Sequence, residues 1–230
     1  WSDFPNLQFT TVIPNDGYRK LFPNVDGLSL KEFNGDLYVG GDGIHSFFGA
    51  EMFRVHPDDT WDLVSGIPRN TPDGFKAPIS GLGPGLGWIL NAHMWRMEVF
   101  DNRLYVGTFD LSTTFRNIPF VSQLVTPELG FDLWWTQDGT HWFQIDQNGF
   151  GDKFNFGVRS LKKTDWGLFL GTANYFHGLR IYRGIPAGFN FPPVVNPNAP
   201  VFTTPVYSTT PMTQTLQVSS VSLPTTFNVT

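Results

Sequence analysis

Apolar and polar residues alternate in short runs along most of this chain, and the runs recur. Leu30-Lys31-Glu32-Phe33-Asn34-Gly35-Asp36-Leu37-Tyr38-Val39-Gly40-Gly41 aligns with Met97-Glu98-Val99-Phe100-Asp101-Asn102-Arg103-Leu104-Tyr105-Val106-Gly107-Thr108. A third copy reads Leu161-Lys162-Lys163-Thr164-Asp165-Trp166-Gly167-Leu168-Phe169-Leu170-Gly171-Thr172. Each passes from a strand through Asn, Asp or Gly into an apolar strand, which predicts a β-hairpin. The interval between copies is roughly 65 residues, long enough for one supersecondary unit per repeat.

A second hairpin follows in two copies. Glu51-Met52-Phe53-Arg54-Val55 leads through Pro57-Asp58-Asp59 to Trp61, and Asp132-Leu133-Trp134-Trp135-Thr136 leads through Asp138-Gly139 to Trp142. One repeat therefore predicts four antiparallel strands, and the chain is expected to be all-β, with about three four-stranded β-propeller blades. The third copy reaches only Leu179-Arg180-Ile181-Tyr182-Arg183. Phe9-Thr10-Thr11-Val12-Ile13, followed by Asn15-Asp16-Gly17-Tyr18, matches Trp142-Phe143-Gln144-Ile145 followed by Asn148-Gly149-Phe150. Residues 8–13 are thus expected as an N-terminal strand completing a blade. Three blades are too few to close a ring. A segment of a larger propeller is the favoured expectation, beside a homo-oligomer forming a six-bladed ring and an additional propeller chain covering open edges.

Residues 1–184 are expected to form the blades. Residues 185–230 form a Pro/Thr/Ser-rich extended tail, either a linker or the start of a further β module. Two stretches interrupt the repeats, 69–92 and 111–129, and long loops on a rigid scaffold are where binding concentrates.

Composition agrees with many short strands and tight turns: 24 Gly, 18 Pro, 23 Phe, 8 Trp and 6 Tyr, with 15% of residues charged. The net charge of −5 provides no basic footprint for a nucleic-acid backbone. The absence of Cys excludes a disulfide framework, a thiolate metal site and a Cys nucleophile. No apolar run reaches the ~18 residues of a transmembrane helix. No signal peptide is evident, and a start at Trp1 fits a mature or trimmed chain.

Asp138-Gly139-Thr140-His141-Trp142 resembles the Asp-box turn of sialidase-type propellers, one residue shorter than the usual box. The wider pattern is similar to a group of bacterial propeller repeat proteins of unassigned activity. Leu104–Thr108, Gly130–Trp134, Asp138–Trp142, Gly149–Asp152 and Asn155–Leu161 carry the likeness, which covers residues 9 to about 183. It implies a propeller fold and little about chemistry. Arg180 departs from the pattern, standing where Glu51 and Asp132 are acidic. The arginine triad, Tyr/Glu pair and acid of sialidases have no placeable counterparts.

Several residues are candidates for a site at the mouth of a central channel. Arg96 and Glu98 share one face of a first strand by alternation, and Arg159 lies on the corresponding third-repeat strand. Such arginines attract carboxylates or phosphates; the competing reading is structural pairing. Asp42, Asp110 and Asn174 follow the second strands. They form either a ring of oxygen ligands suited to Ca²⁺, with Asp42 and Asp110 as the carboxylates, or Asx caps of their own loops. Gly40, Gly107 and Gly171 end the second strands and are read as points of close backbone approach. Trp61 and Trp142 are read as structural packing residues. The five His show no metal-ligand spacing, and no catalytic set is present. The expected function is a non-enzymatic binding or structural module, extracellular or at the cell surface, with a glycan or protein ligand. The alternative is a sialidase-like carbohydrate-active enzyme.

Overall fold

Three antiparallel meanders follow one another in the computed structural model, which describes residues 8–43 and 48–186 and the backbone of 194–196 and 217–219; the first is a four-stranded sheet, and the second and third are joined in one seven-stranded sheet. The first sheet is a meander of β1 (Gly27–Phe33), β2 (Asp36–Gly41), β3 (Met52–Val55) and β4 (Trp61–Ser65). A small hairpin of β5 (Arg69–Thr71) and β6 (Gly74–Lys76) lies in the first interruption. The second meander is β7 (Asn91–Phe100), β8 (Arg103–Asp110), β9 (Leu133–Thr136) and β10 (Trp142–Asp146). The third has β11 (Gly157–Thr164), β12 (Gly167–Ala173) and β13 (Ile181–Gly184). The chain divides into two compact units, Trp1–Gly184 and Ile185–Thr230. In the second, β14 (Val194–Asn196) pairs with β15 (Gln217–Ser219).

Local chemistry explains the hairpins. Asn34-Gly35 and Asp101-Asn102 both have positive φ at two consecutive residues, the tight turn that matches strand twist. In the Asp138 turn, the carboxylate accepts from the Thr140 and His141 amides at 2.8 Å each. That geometry satisfies turn amides, and it makes the Asp-box-like sequence a device for closing the β9–β10 hairpin.

The sheets pack face against face. Phe33, Tyr38 and Met52 of the first sheet are buried with Met94, Met97, Leu104 and Val106 of the second, and Trp142 packs against this cluster. Trp61 lies on the first sheet's opposite face with Phe53 and Leu63, covered by Ile13 and Tyr18. The first strands lie side by side in the order β1, β7, β11. Equivalent bridges tie each second strand to the next first strand: Asp42 opposite His93, and Phe109 opposite Gly157.

Gly40, Gly107 and Gly171 sit at these approaches. A Cβ on Gly40 would lie 2.6 Å from Met94 Cβ, and one on Gly107 would lie 2.5 Å from Val158 Cβ. Met94 and Val158 occupy matching positions on consecutive first strands. At Gly171 a Cβ would meet, among the described residues, Ser160 Oγ at 2.4 Å and Ile181 Cδ1 at 3.2 Å, both of its own meander.

Three expectations need correction. Residues 8–13 form no strand; Ile13 packs beside Tyr18 onto the first sheet instead. The interruption 111–129 carries short helices at Ser112–Phe115 and Val121–Val125. Asp42 is not the counterpart of Asp110 and Asn174: counted from Leu37, Leu104 and Leu168, those two match Gly43, and Asp42 matches Phe109.

Candidate functional site

Each first strand bulges at the same place. Pairing slips between Gly27 and Ser29, between Met94 and Arg96, and between Val158 and Ser160. The extra residues are Leu28, Trp95 and Arg159. A bulge re-aims a side chain out of the pleat and is common beside binding sites. Here it makes Trp95, not Arg96, the counterpart of Arg159.

The two bulged residues meet. The Arg159 guanidinium lies 4.8 Å from the Trp95 ring centroid. A Cβ on Gly157 would lie 2.4 Å from the same ring, so the indole rests on bare backbone. Arg96 donates from Nε to the Arg159 carbonyl at 2.9 Å and from Nη1 to the Trp95 carbonyl at 2.8 Å. The structure therefore brings Arg96 and Arg159 together. Burial, and then the like charge of Arg159, pull the Arg96 pKa below its ordinary value. Among the described residues neither guanidinium pairs with a carboxylate.

Glu98 takes a different part. It is buried and ion-paired with Lys31 of β1, and accepts from the Val99 amide at 3.0 Å and the Lys163 amide at 3.4 Å. Burial pushes its carboxyl up, but those donors outweigh it and hold it below the usual range. Glu98 ties β1, β7 and β11 together.

The Asx residues are engaged by neighbours. Asp110 Oδ1 accepts from the Ser112 amide at 2.8 Å, and Oδ2 from Trp88 Nε1 at 2.8 Å. Burial raises the Asp110 carboxyl well above its ordinary pKa. Asp42 Oδ1 lies 2.9 Å from His93 Nδ1. Asn174 accepts from the Phe176 and His177 amides and donates to Asn155 Oδ1 at 2.8 Å. Asp110 and Asn174 thus act as loop caps, each accepting from the amide two residues on. Among the described residues no three His, Cys, Asp or Glu side chains gather as a metal-binding group.

An aromatic strip runs from Trp95. Its ring lies 5.3 Å from Phe109, Phe109 lies 5.5 Å from Phe156, and Tyr175 stacks on Phe156 at 4.6 Å. Tyr175 is 86% exposed. Phe109, Phe156 and Tyr175 were not singled out from sequence. The repeat alignment, carried two residues back from Met97 and Leu161, already places Trp95 opposite Arg159, but strand alternation hides a bulge.

Asp132 is a second unanticipated feature. It is fully buried at the start of β9, and its Oδ2 accepts from Asn91 Nδ2 at 2.7 Å, Trp134 Nε1 at 3.3 Å and Gln144 Nε2 at 3.3 Å. Burial pushes its pKa up to about 7. Glu51, its counterpart, is equally buried and meets Arg69 and Arg19. Both are sealed from solvent, so they serve packing. No family model, curated protein or solved structure matches this chain.

Proposed function

We propose that this chain is part of a β-propeller and acts, outside the cell or at its surface, as a non-enzymatic binding or structural module. Its ligand is a protein or a carbohydrate. The observation that carries this is the repeated sheet-to-sheet packing and the two end faces it leaves. Met97 and Leu104 of the second sheet are buried, as are Leu161 and Leu168 of the third. Their counterparts in the first sheet, Leu30 and Leu37, are 61% and 37% exposed. At the other end, among the described residues, a Cβ on Gly171 would meet Ser160 and Ile181 of its own meander, whereas Gly40 and Gly107 meet Met94 and Val158 of the next first strand. Meanders stacked with their first strands adjacent, each presenting the face the next would cover, follow the plan of propeller blades.

Both ends then call for neighbouring sheets of the same kind, from a larger propeller, a second copy or another chain. The carboxylates that an enzymatic role would draw on, Asp42, Asp110 and Glu98, are engaged with His93, with Ser112 and Trp88, and with Lys31. That supports binding without turnover. A glycan array run with mass analysis of the spotted glycans tests this. Retention of one glycan class with its mass unchanged is the expected result, and released monosaccharide would overturn the non-enzymatic assignment. If no glycan is retained, the carbohydrate ligand is lost and the protein-ligand or structural role remains.

A further inference from the structure

The geometry points to the surface around Arg96, Arg159 and Trp95 as a binding site for an acidic oligosaccharide, one bearing carboxylates on its sugar rings. This deepens the binding-module proposal and rests on it.

The first ground is charge. The chain carries a net charge of −5, and several of its other arginines meet carboxylates: Arg54 meets Asp62 and Asp36, Arg69 meets Glu51, Arg103 meets Asp101, and Arg180 meets Asp152, while Arg116 lies over the Phe154 and Phe176 rings. Arg96 and Arg159 instead sit on adjacent first strands with carbonyls and an indole as partners. Asp42, near this end of β7, faces His93. Two like charges held together this way raise the energy of the empty site, and an anion between them lowers it. A guanidinium fork fits a planar carboxylate with two parallel hydrogen bonds.

The second ground is shape. The arginine pair stands at one end of the Trp95–Phe109–Phe156–Tyr175 strip. Three ring-to-ring steps of 5.3, 5.5 and 4.6 Å carry the strip through half-buried Phe109 and buried Phe156 to Tyr175, whose exposed ring is the face offered to a sugar. Aromatic faces bury the apolar faces of pyranose rings while leaving hydroxyls wet. An acidic peptide would satisfy the arginines and leave the strip unused, so a sugar acid is the ligand that uses both. The pair is also preorganised. Arg96 is fixed by two carbonyl contacts, and Trp95 is fixed over Gly157, which lowers the ordering cost of binding.

Titration of the whole chain with an oligogalacturonate, monitored by tryptophan fluorescence and calorimetry, tests the site. The matched neutral oligosaccharide and poly-aspartate serve as comparison probes. Saturable binding of the oligogalacturonate is expected, weakening as salt is raised. Arg159→Gln should reduce affinity about tenfold or more, as loss of a charge-assisted hydrogen bond does. Arg159→Lys should recover part of that, and Tyr175→Ala should weaken the oligosaccharide while sparing poly-aspartate. Arg159 and Tyr175 are exposed, so an unchanged melting curve is expected for each variant.

Equal binding of the neutral sugar would overturn the arginine role. Poly-aspartate binding as tightly, with Tyr175→Ala neutral for both probes, would make the site a peptide site. No saturation by either acidic probe would overturn the site itself. None of these outcomes touches the binding-module proposal, which falls only if the array releases sugar.

Discussion

At Asp132 a carboxyl group is enclosed with one oxygen on three donors and the other, Oδ1, without a hydrogen-bond partner. Burial raises its pKa to about 7, against about 3.9 in an unfolded chain. Between those values the folded chain holds a proton that the unfolded chain has lost. Stability therefore falls as pH rises through that window and levels off above about pH 7. The full effect is on the order of 2–4 kcal/mol, at about 1.4 kcal/mol for each pH unit of displacement. Asp132→Asn keeps a buried oxygen for the three donors and removes the titration. Urea unfolding at pH 5 and pH 8 should show the variant gaining on the native chain by roughly 2 kcal/mol or more at the higher pH. An equal difference at both pH values would mean that Asp132 does not titrate in the fold.

Among the elements, the hairpins were legible and the bulges were not. Asn34-Gly35 and Asp101-Asn102 sit where alternation breaks, so turn chemistry and period together locate four strands per repeat. A bulge leaves no such mark: Leu28, Trp95 and Arg159 are apolar, aromatic and basic. Arg96 and Arg159 were placed on corresponding first strands; the residue that matches Arg159 by position is Trp95. Residues 8–13 look like a fourth strand because they match Trp142–Ile145, yet a strand needs an edge to pair with. Another repeat was visible and passed over: Gly85-Leu86-Gly87 before Asn91 matches Gly149-Phe150-Gly151 before Asn155. In both, the first two residues have positive φ and the Asn side chain donates to the first Gly carbonyl, at 2.9 and 2.8 Å. The second-strand glycines were read as close approaches, and they differ in a measurable way. Gly107→Ala drives a methyl into Val158, whose Cβ is part of the next sheet, and should cost about 1–3 kcal/mol. Gly171→Ala presses chiefly on the Ser160 hydroxyl, which can rotate, and should cost under about 1 kcal/mol. Paired urea melts of the two variants compare these costs directly.

For the molecule as a whole, the end faces decide its state in solution. The first sheet presents Leu30 and Leu37 on the face whose counterparts bury Met97, Leu104, Leu161 and Leu168 in the next two sheets. The third sheet presents Ile181, which is also exposed, beside Gly171. Contiguous apolar surface of this kind marks an interface. The same substitution at matched positions then gives contrasting sensitivities. Leu30→Lys should change stability by no more than about 0.5 kcal/mol, because its side chain already meets water. Met97→Lys should cost about 3 kcal/mol or more, because it puts a charge between two packed sheets. Association supplies the second readout. The isolated chain should give a light-scattering mass above 25.9 kDa that grows with concentration, and Leu30→Lys should return it to 25.9 kDa. A native chain that stays at the monomer mass, and a Leu30→Lys variant identical to it, would show that this face needs no cover. The proposal that neighbouring sheets continue the array would then fail, while the packing among the three sheets, tested by Met97→Lys, would stand.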